Sequence, residues 1–297
     1  MRIIEPFAVT PAMMTATNVP ENDRPAWVSG TTYAAGARVI RDNAIWESLQ
    51  GSNTGNDPSA DALSEWWFRV GATNRWRAFD SRLGGVTQMV GNITYSIVLP
   101  RTLNSVAFFG LDAQSVRLRI VAPGGSVLSN VLYELSTRDQ VGNFWEYIFQ
   151  PFDVRNDLIL TGVNMPAGVT LEITIISSGA AAVGEIMIGN DIQIGTTLME
   201  SSLGIVDYSK KERDEFGGVF IVPRAVTKTV SFRFSVPTTG ARRVQQIMER
   251  ITSKVCIFYA IPGEDQFGMT VAGVLRDYDL TLSTSVSFGT IQAESLT

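Results

Sequence analysis

The sequence predicts a mainly β protein with three folded parts: a small tryptophan-rich β module, a β-sandwich, and a C-terminal α+β domain with one helix. Three observations lead there. Short runs alternate apolar and polar residues with a period of two, the mark of half-buried strands. Clusters of Gly, Pro, Asn and Asp punctuate those runs. A helical period of apolar residues stands out at one place, Val244, Ile247, Met248 and Ile251.

Residues 1–24 read as an extended arm, because Pro6, Pro11 and Pro20 and the polar stretch from Asn18 to Arg24 leave it no core of its own. The arm is expected to dock on another part of the chain or on a neighbour, and its removal to leave the three folded parts intact. Residues 25–74 form the module. Its apolar pieces Val39-Ile40 and Ile45-Trp46 are joined by the turn-prone Arg41-Asp42-Asn43, and a Gly/Asn/Asp/Pro/Ser loop follows over 51–61. Two or three short strands in a compact meander fit this pattern. So small a unit cannot build an aliphatic core, and large rings would supply area instead.

Residues 75–195 carry the alternation of a sandwich: Tyr95, Ile97 and Leu99, then Val116, Leu118 and Ile120, then Leu171, Ile173 and Ile175. Each run is apolar on one face only. Turn signals appear at Gly84-Gly85, Pro123-Gly124-Gly125, Pro166-Ala167-Gly168 and Gly189-Asn190-Asp191. Residues 196–297 open on a long strand with Val230, Phe232, Phe234 and Val236 on one face, ending at Pro237. The helix follows, capped by Thr238 or Thr239. Further strands are expected over 255–261, 270–275 and 278–288.

Composition narrows the function. A net charge of -5 over 297 residues lacks the basic face of a nucleic-acid binder or a polybasic membrane anchor. The cluster Arg242, Arg243, Arg250 and Lys254, with Glu249, reads as the wet side of the helix. The single cysteine, Cys256, sits in an apolar run and reads as a buried thiol. Histidine is absent, which removes the commonest general base, the usual metal ligand and imidazole triads. The proline-broken N-terminus is unlike a secretory signal, and no stretch approaches the roughly 20 apolar residues of a spanning helix. A soluble chain without membrane insertion is expected.

Few residues suggest chemistry. Asp277 and Asp279 flank Tyr278 on one strand face and read as a solvated edge. Asp57 and Asp61 lack EF-hand spacing and read as turn residues. Phosphate-cradle and nucleophile-elbow patterns are missing. The expectation is a non-enzyme with no catalytic residue, no metal and no cofactor.

Five of the six tryptophans, Trp27, Trp46, Trp66, Trp67 and Trp76, crowd into one short region. Tyr33, Trp46 and one of Trp66 and Trp67 can fill the little core, leaving Trp27 and the outward neighbour for display. The order Tyr33-x-x-Gly36-x-x-Val39, Trp46, Asn53-Thr54-Gly55, Pro58, Trp66-Trp67 resembles the chitin-binding-like modules of chitinases and phage tail proteins. That resemblance implies carbohydrate binding through Trp27, Tyr33, Trp46, Trp66 and Trp67. Trp46 departs from it, standing where the family often has tyrosine. The middle part, through "FDSRLGG" and "VGEIMIGNDIQIG", resembles galactose-binding-like jelly rolls, a fold that settles no function.

The opening "MRIIEPFAVTPAMMTATNVPE", "NRWRAFD" and "GIVDYSKKERDEFGG" resemble tailed-bacteriophage tail and baseplate proteins. The resemblance implies a structural component of the virion tail, made in the host cytoplasm. Its partners would be copies of itself in a ring, other virion tail proteins and a host-surface glycan. The arm and the C-terminal domain would supply the ring contacts. A stand-alone carbohydrate-binding protein, a glycan-degrading tail enzyme and a scaffold without a ligand are the alternatives.

Overall fold

The computed structural model describes residues 1–82, 84–136, 145, 155–213, 217–260 and 269–295. It is mainly β, as the alternation predicts. The strand Arg2–Phe7 lies inside a ten-stranded antiparallel sheet, between Glu185–Gln193 and Cys256–Tyr259. Beyond Glu185–Gln193 the sheet continues through Leu103–Phe109 to Asp157–Met165. Beyond Cys256–Tyr259 it continues through Thr270–Thr281 and Val286–Ser295 to Val226–Pro237, whose far edge pairs with Thr196–Thr197 and Ser202–Asp207.

A second sheet, in the order Val127–Glu134, Ser115–Val121, Thr170–Ile176, Ile93–Val98 and Met14–Thr17, closes over the first half. The period-two residues do the closing: Tyr95, Ile97, Val116, Leu118, Ile120, Leu171, Ile173 and Ile175 are buried against Val106, Phe108, Ile186 and Ile188. Each such side chain contributes about 1.5–3 kcal/mol by leaving water. The helix Ala241–Ile251 covers the other half, where Val244, Ile247, Met248 and Ile251 join Phe232, Phe234, Phe258 and Ile291.

The N-terminal strand joins these interiors by its own alternation. Ile3 enters the helix-covered core, while Ile4 meets Ala107, Met187, Ile257 and Tyr259 on the opposite face. Polar contacts add to this. The Arg2 Nε lies 3.0 and 2.8 Å from the two oxygens of Asp191, and the Tyr259 hydroxyl donates to the same carboxylate at 2.5 Å. Burial, reinforced by Asp191, pushes the Tyr259 phenol upward. Glu5 holds both Arg250, at 2.6 Å, and Lys254, at 2.9 Å. Two members of the basic cluster are thus paired across the fold with a residue far away in sequence.

Several expectations are corrected. The arm docks on the chain itself, with Arg2–Phe7 as a central strand and Met14–Thr17 as an edge strand, so removing residues 1–24 would strip hydrogen-bond partners from three strands rather than leave the folded parts intact. Gly189-Asn190-Asp191 is no turn: the strand Glu185–Gln193 runs straight through it. The glycine serves close approach, since a Cβ there would sit 2.3 Å from the Glu5 carbonyl oxygen. The strands expected over 270–275 and 278–288 are instead Thr270–Thr281 and Val286–Ser295. The turn between them, Leu282-Ser283-Thr284-Ser285, contains no Gly, Pro, Asn or Asp to announce it. Neither threonine caps the helix. Thr238–Gly240 is a 3-10 turn, and the Thr238 hydroxyl bonds the Ser283 carbonyl instead.

Deleting residues 1–7 is expected to abolish the cooperative unfolding transition, read by circular dichroism during heating. Gly189→Val is expected to cost about 3 kcal/mol or more, because the branched side chain meets backbone that cannot yield. Urea denaturation measures it.

Candidate functional site

The tryptophan-rich module is a three-stranded sheet, Arg38–Arg41, Ala44–Ser48 and Trp67–Ala72, with a short ladder Thr32–Tyr33 to Asn53–Thr54. Its first hairpin closes through Asp42 and Asn43, at φ 49° and 62°. Asp and Asn tolerate that left-handed region best among non-glycine residues, which explains a two-residue turn here.

One indole makes the interior. Trp67 is fully enclosed, donates its Nε1 to the Asn56 carbonyl at 2.9 Å, and meets the Tyr33 ring edge-on at 5.3 Å. Tyr33 is half-buried and its hydroxyl accepts from the Val28 amide at 2.8 Å. Buried Asn53 donates to the Ser48 hydroxyl at 2.9 Å. Asp61 fixes the approach to the indoles by accepting from the amides of Glu65, Trp66 and Trp67 at 3.1, 2.8 and 2.8 Å. Burial would raise that carboxyl, yet the three amides outweigh it and hold it below the usual range. Asp57 likewise works locally, pairing with Arg41 at 2.7 Å and accepting from the Ser59 amide at 3.0 Å. Both residues serve turns.

The other three tryptophans of the module are half-buried. Trp46 ties its Nε1 to the Arg41 carbonyl at 3.0 Å. Trp27 has the Arg41 guanidinium 5.2 Å from its ring centre, and its buried Nε1 has no partner among the described residues. Trp66 anchors the module through its carbonyl, which accepts from the Leu49 amide at 2.9 Å, and leaves its ring half-buried. Phe68, which the sequence reading passed over, is 55% exposed on the face opposite Trp67. The signal was the alternation Trp67, Phe68 at the start of a strand. Trp76 belongs elsewhere, buried and edge-on to Phe79 at 6.2 Å.

A second feature escaped the sequence reading. Where Glu5 to Val9 diverge from residues 253–255, a cleft of about 900 Å³ opens, walled by Phe7, Phe79, Arg101, Glu185 and Lys254. Pro6 stands at that fork, where a missing amide hydrogen costs no ladder bond to Cys256–Tyr259. Glu185 is 1% exposed; one oxygen accepts from the Ser81 amide at 3.1 Å and the other has no partner among the described residues. Burial, then Asp80, pushes this carboxyl to about 8, so it is protonated at neutral pH. Its signal was a lone charge in "VGEIMIG".

The remaining candidates all lie on strands, Cys256 on Cys256–Tyr259 and the two aspartates on Thr270–Thr281. Asp277 and Asp279 are exposed on their strand, and Asp277 accepts from the neighbouring Tyr278 amide at 2.9 Å. Burial, then Glu5, pushes the Cys256 thiol to about 12. Among the described residues there is no cluster of acidic, Cys or His side chains able to hold a metal, and no helix long and apolar enough to cross a membrane.

Between pH 4.5 and about 8 the folded chain keeps the Glu185 proton that the unfolded chain has lost. Stability is therefore expected to fall as pH rises through that window, on the order of 1.4 kcal/mol per unit. Glu185→Gln should flatten the slope in urea denaturation between pH 5 and 9. Asp61 has the opposite sign: its contribution is present above the ordinary carboxylate range and lost as pH falls through its lowered value. Asp61→Ala is expected to cost about 1–3 kcal/mol and shift tryptophan emission to the red.

No family model matches the chain, and no curated protein matches it. Two solved structures are similar to parts of it at 11% identity and a TM-score of 0.27. Both are crystal structures of chitosan-binding module 1 from the chitosanase/glucanase of Paenibacillus sp. IK-5, one of them a selenomethionine-labelled mutant. The similarity covers 39% of this chain and 84% of the mutant module, and 38% and 83% for the other. At that level it assigns neither a family nor a ligand.

Proposed function

We propose that the chain is a non-enzymatic structural subunit of a phage virion tail, in the baseplate or tail-tip region, that presents its tryptophan-rich module to a glycan on the host surface. One observation carries the binding part. Trp67 and Tyr33 already fill the module interior, yet Trp27, Trp46 and Trp66 remain half open around it. Rings surplus to a core are available to lie against the apolar C–H face of a sugar. The tail assignment is supported by the sequence resemblances at 1–21, 74–80 and 204–218. Copies of the chain would self-associate in a ring beside other tail proteins, and weak contacts would gain strength by number.

Titration against bacterial surface polysaccharide and chitin oligosaccharides tests the binding. Trp27→Ala, Trp46→Ala and Trp66→Ala are each expected to weaken it about tenfold, or 1.4 kcal/mol, with folding unchanged. Undetectable binding by the wild type, or variants that bind equally well, overturns the reading. Release of reducing ends from the polysaccharide would overturn the non-enzymatic part.

A further inference from the structure

The hairpin of Lys210–Arg213 and Val219–Val222 prolongs the ladder of Ser202–Asp207 and Val226–Pro237 beyond the large sheet, joined to it by the Tyr208 amide, which donates to the Ala225 carbonyl at 3.2 Å. Val219, Phe220, Ile221 and Val222 are 56, 66, 52 and 37% exposed, so an apolar strand is open on both faces. A two-stranded hairpin with neither face covered is marginal in water, and a run of exposed apolar residues is an association site.

Charge is divided unevenly between its strands. Lys210, Lys211, Glu212 and Arg213 occupy one, with ion pairs Lys210–Glu212 and Lys211–Asp207. The other has no charge at all. Strand edges that stay solvated are normally guarded by charge, proline or a bulge. The first strand is guarded so. The outer edge of Val219–Val222 is bare, and no strand pairs with it among the described residues.

We propose that this bare edge pairs with the same edge of a second copy of the chain. Antiparallel pairing about a two-fold axis between residues 220 and 221 sets Val219 against the partner's Val222, and Phe220 against the partner's Ile221. The segment is therefore complementary to itself, as an isologous contact requires. Aromatic and β-branched side chains facing each other are favourable cross-strand pairs. The charged strands fall on the outside of the resulting four-stranded sheet, about 14 Å apart at three strand spacings. That exceeds the ~8 Å screening length at physiological salt, so their like charges do not oppose the contact. Ile205, Tyr208 and Val226, close by in the same two segments, are also exposed and extend the apolar patch beside that edge.

This inference deepens the self-association in the function proposed above and rests on it. Light scattering on the full chain at about 50 μM, well above the Kd of a standard interface, is expected to give an even multiple of 32.4 kDa. The double variant Phe220→Lys, Ile221→Lys should fall to half the wild-type mass with an unchanged melting curve. Val131→Lys, on the exposed strand Val127–Glu134, should keep the wild-type mass. A second double variant, Phe220→Cys with Ile221→Cys, should form a covalent dimer on mild oxidation. A wild type at single-chain mass overturns both self-association and this interface. An oligomeric wild type whose lysine variant keeps its mass, or whose cysteine variant does not cross-link, overturns this interface alone.

Discussion

The fold depends on a single strand being paired on both edges. Arg2–Phe7 supplies the backbone partners that Glu185–Gln193 and Cys256–Tyr259 each require, and buried amides and carbonyls left unpaired are costly. Its side chains then fix the neighbours. Arg2 and Tyr259 share the Asp191 carboxylate, and Glu5 reaches the last turn of the helix through Arg250 and the residues just beyond it through Lys254. The sandwich and the helix-covered half are consequently one continuous sheet. The cleft beside Glu185 exists because this strand parts from residues 253–255 after pairing with Cys256–Tyr259.

The module follows a different logic. With few aliphatic residues to bury, it relies on one enclosed indole and a set of turn-fixing side chains. Asp61 is central to that economy, because one carboxylate orders three successive donors just ahead of the sheet. The half-open indoles around it are held by backbone contacts rather than by packing in depth. Trp46 and Trp66 are anchored through a nitrogen and a carbonyl, and both are half-buried. The large sheet supplies rigidity, and the module supplies accessible aromatic surface.

Much of this was legible in the sequence, and the parts that were not share a cause. Strands with strict alternation, such as Ile93–Val98 and Thr170–Ile176, announced both their existence and their buried face. The helix face at Val244, Ile247, Met248 and Ile251 was equally clear. What failed was long-range. Nothing local in "MRIIEPF" says that its partners lie near residues 190 and 258, and its prolines suggested a loose arm. Gly189 carried a turn signal but answers to the approach of a distant carbonyl. The hairpin turn at residues 282–285 was hidden because serine and threonine serve turns and strands alike. In the module, sequence could say that one of Trp66 and Trp67 faces inward; only the three-dimensional arrangement says it is Trp67.

The position of Arg2–Phe7 also bears on how the chain matures. Glu5 and Lys254 lie 249 residues apart, so a segment made early must wait until most of the polypeptide has left the ribosome. Contacts of such high order slow folding and lengthen the period during which apolar strands are unguarded. Pairing Arg2–Phe7 on both edges brings together residues from the beginning, the middle and the last part of the chain, so this seam is made of the contacts that are slowest to find one another.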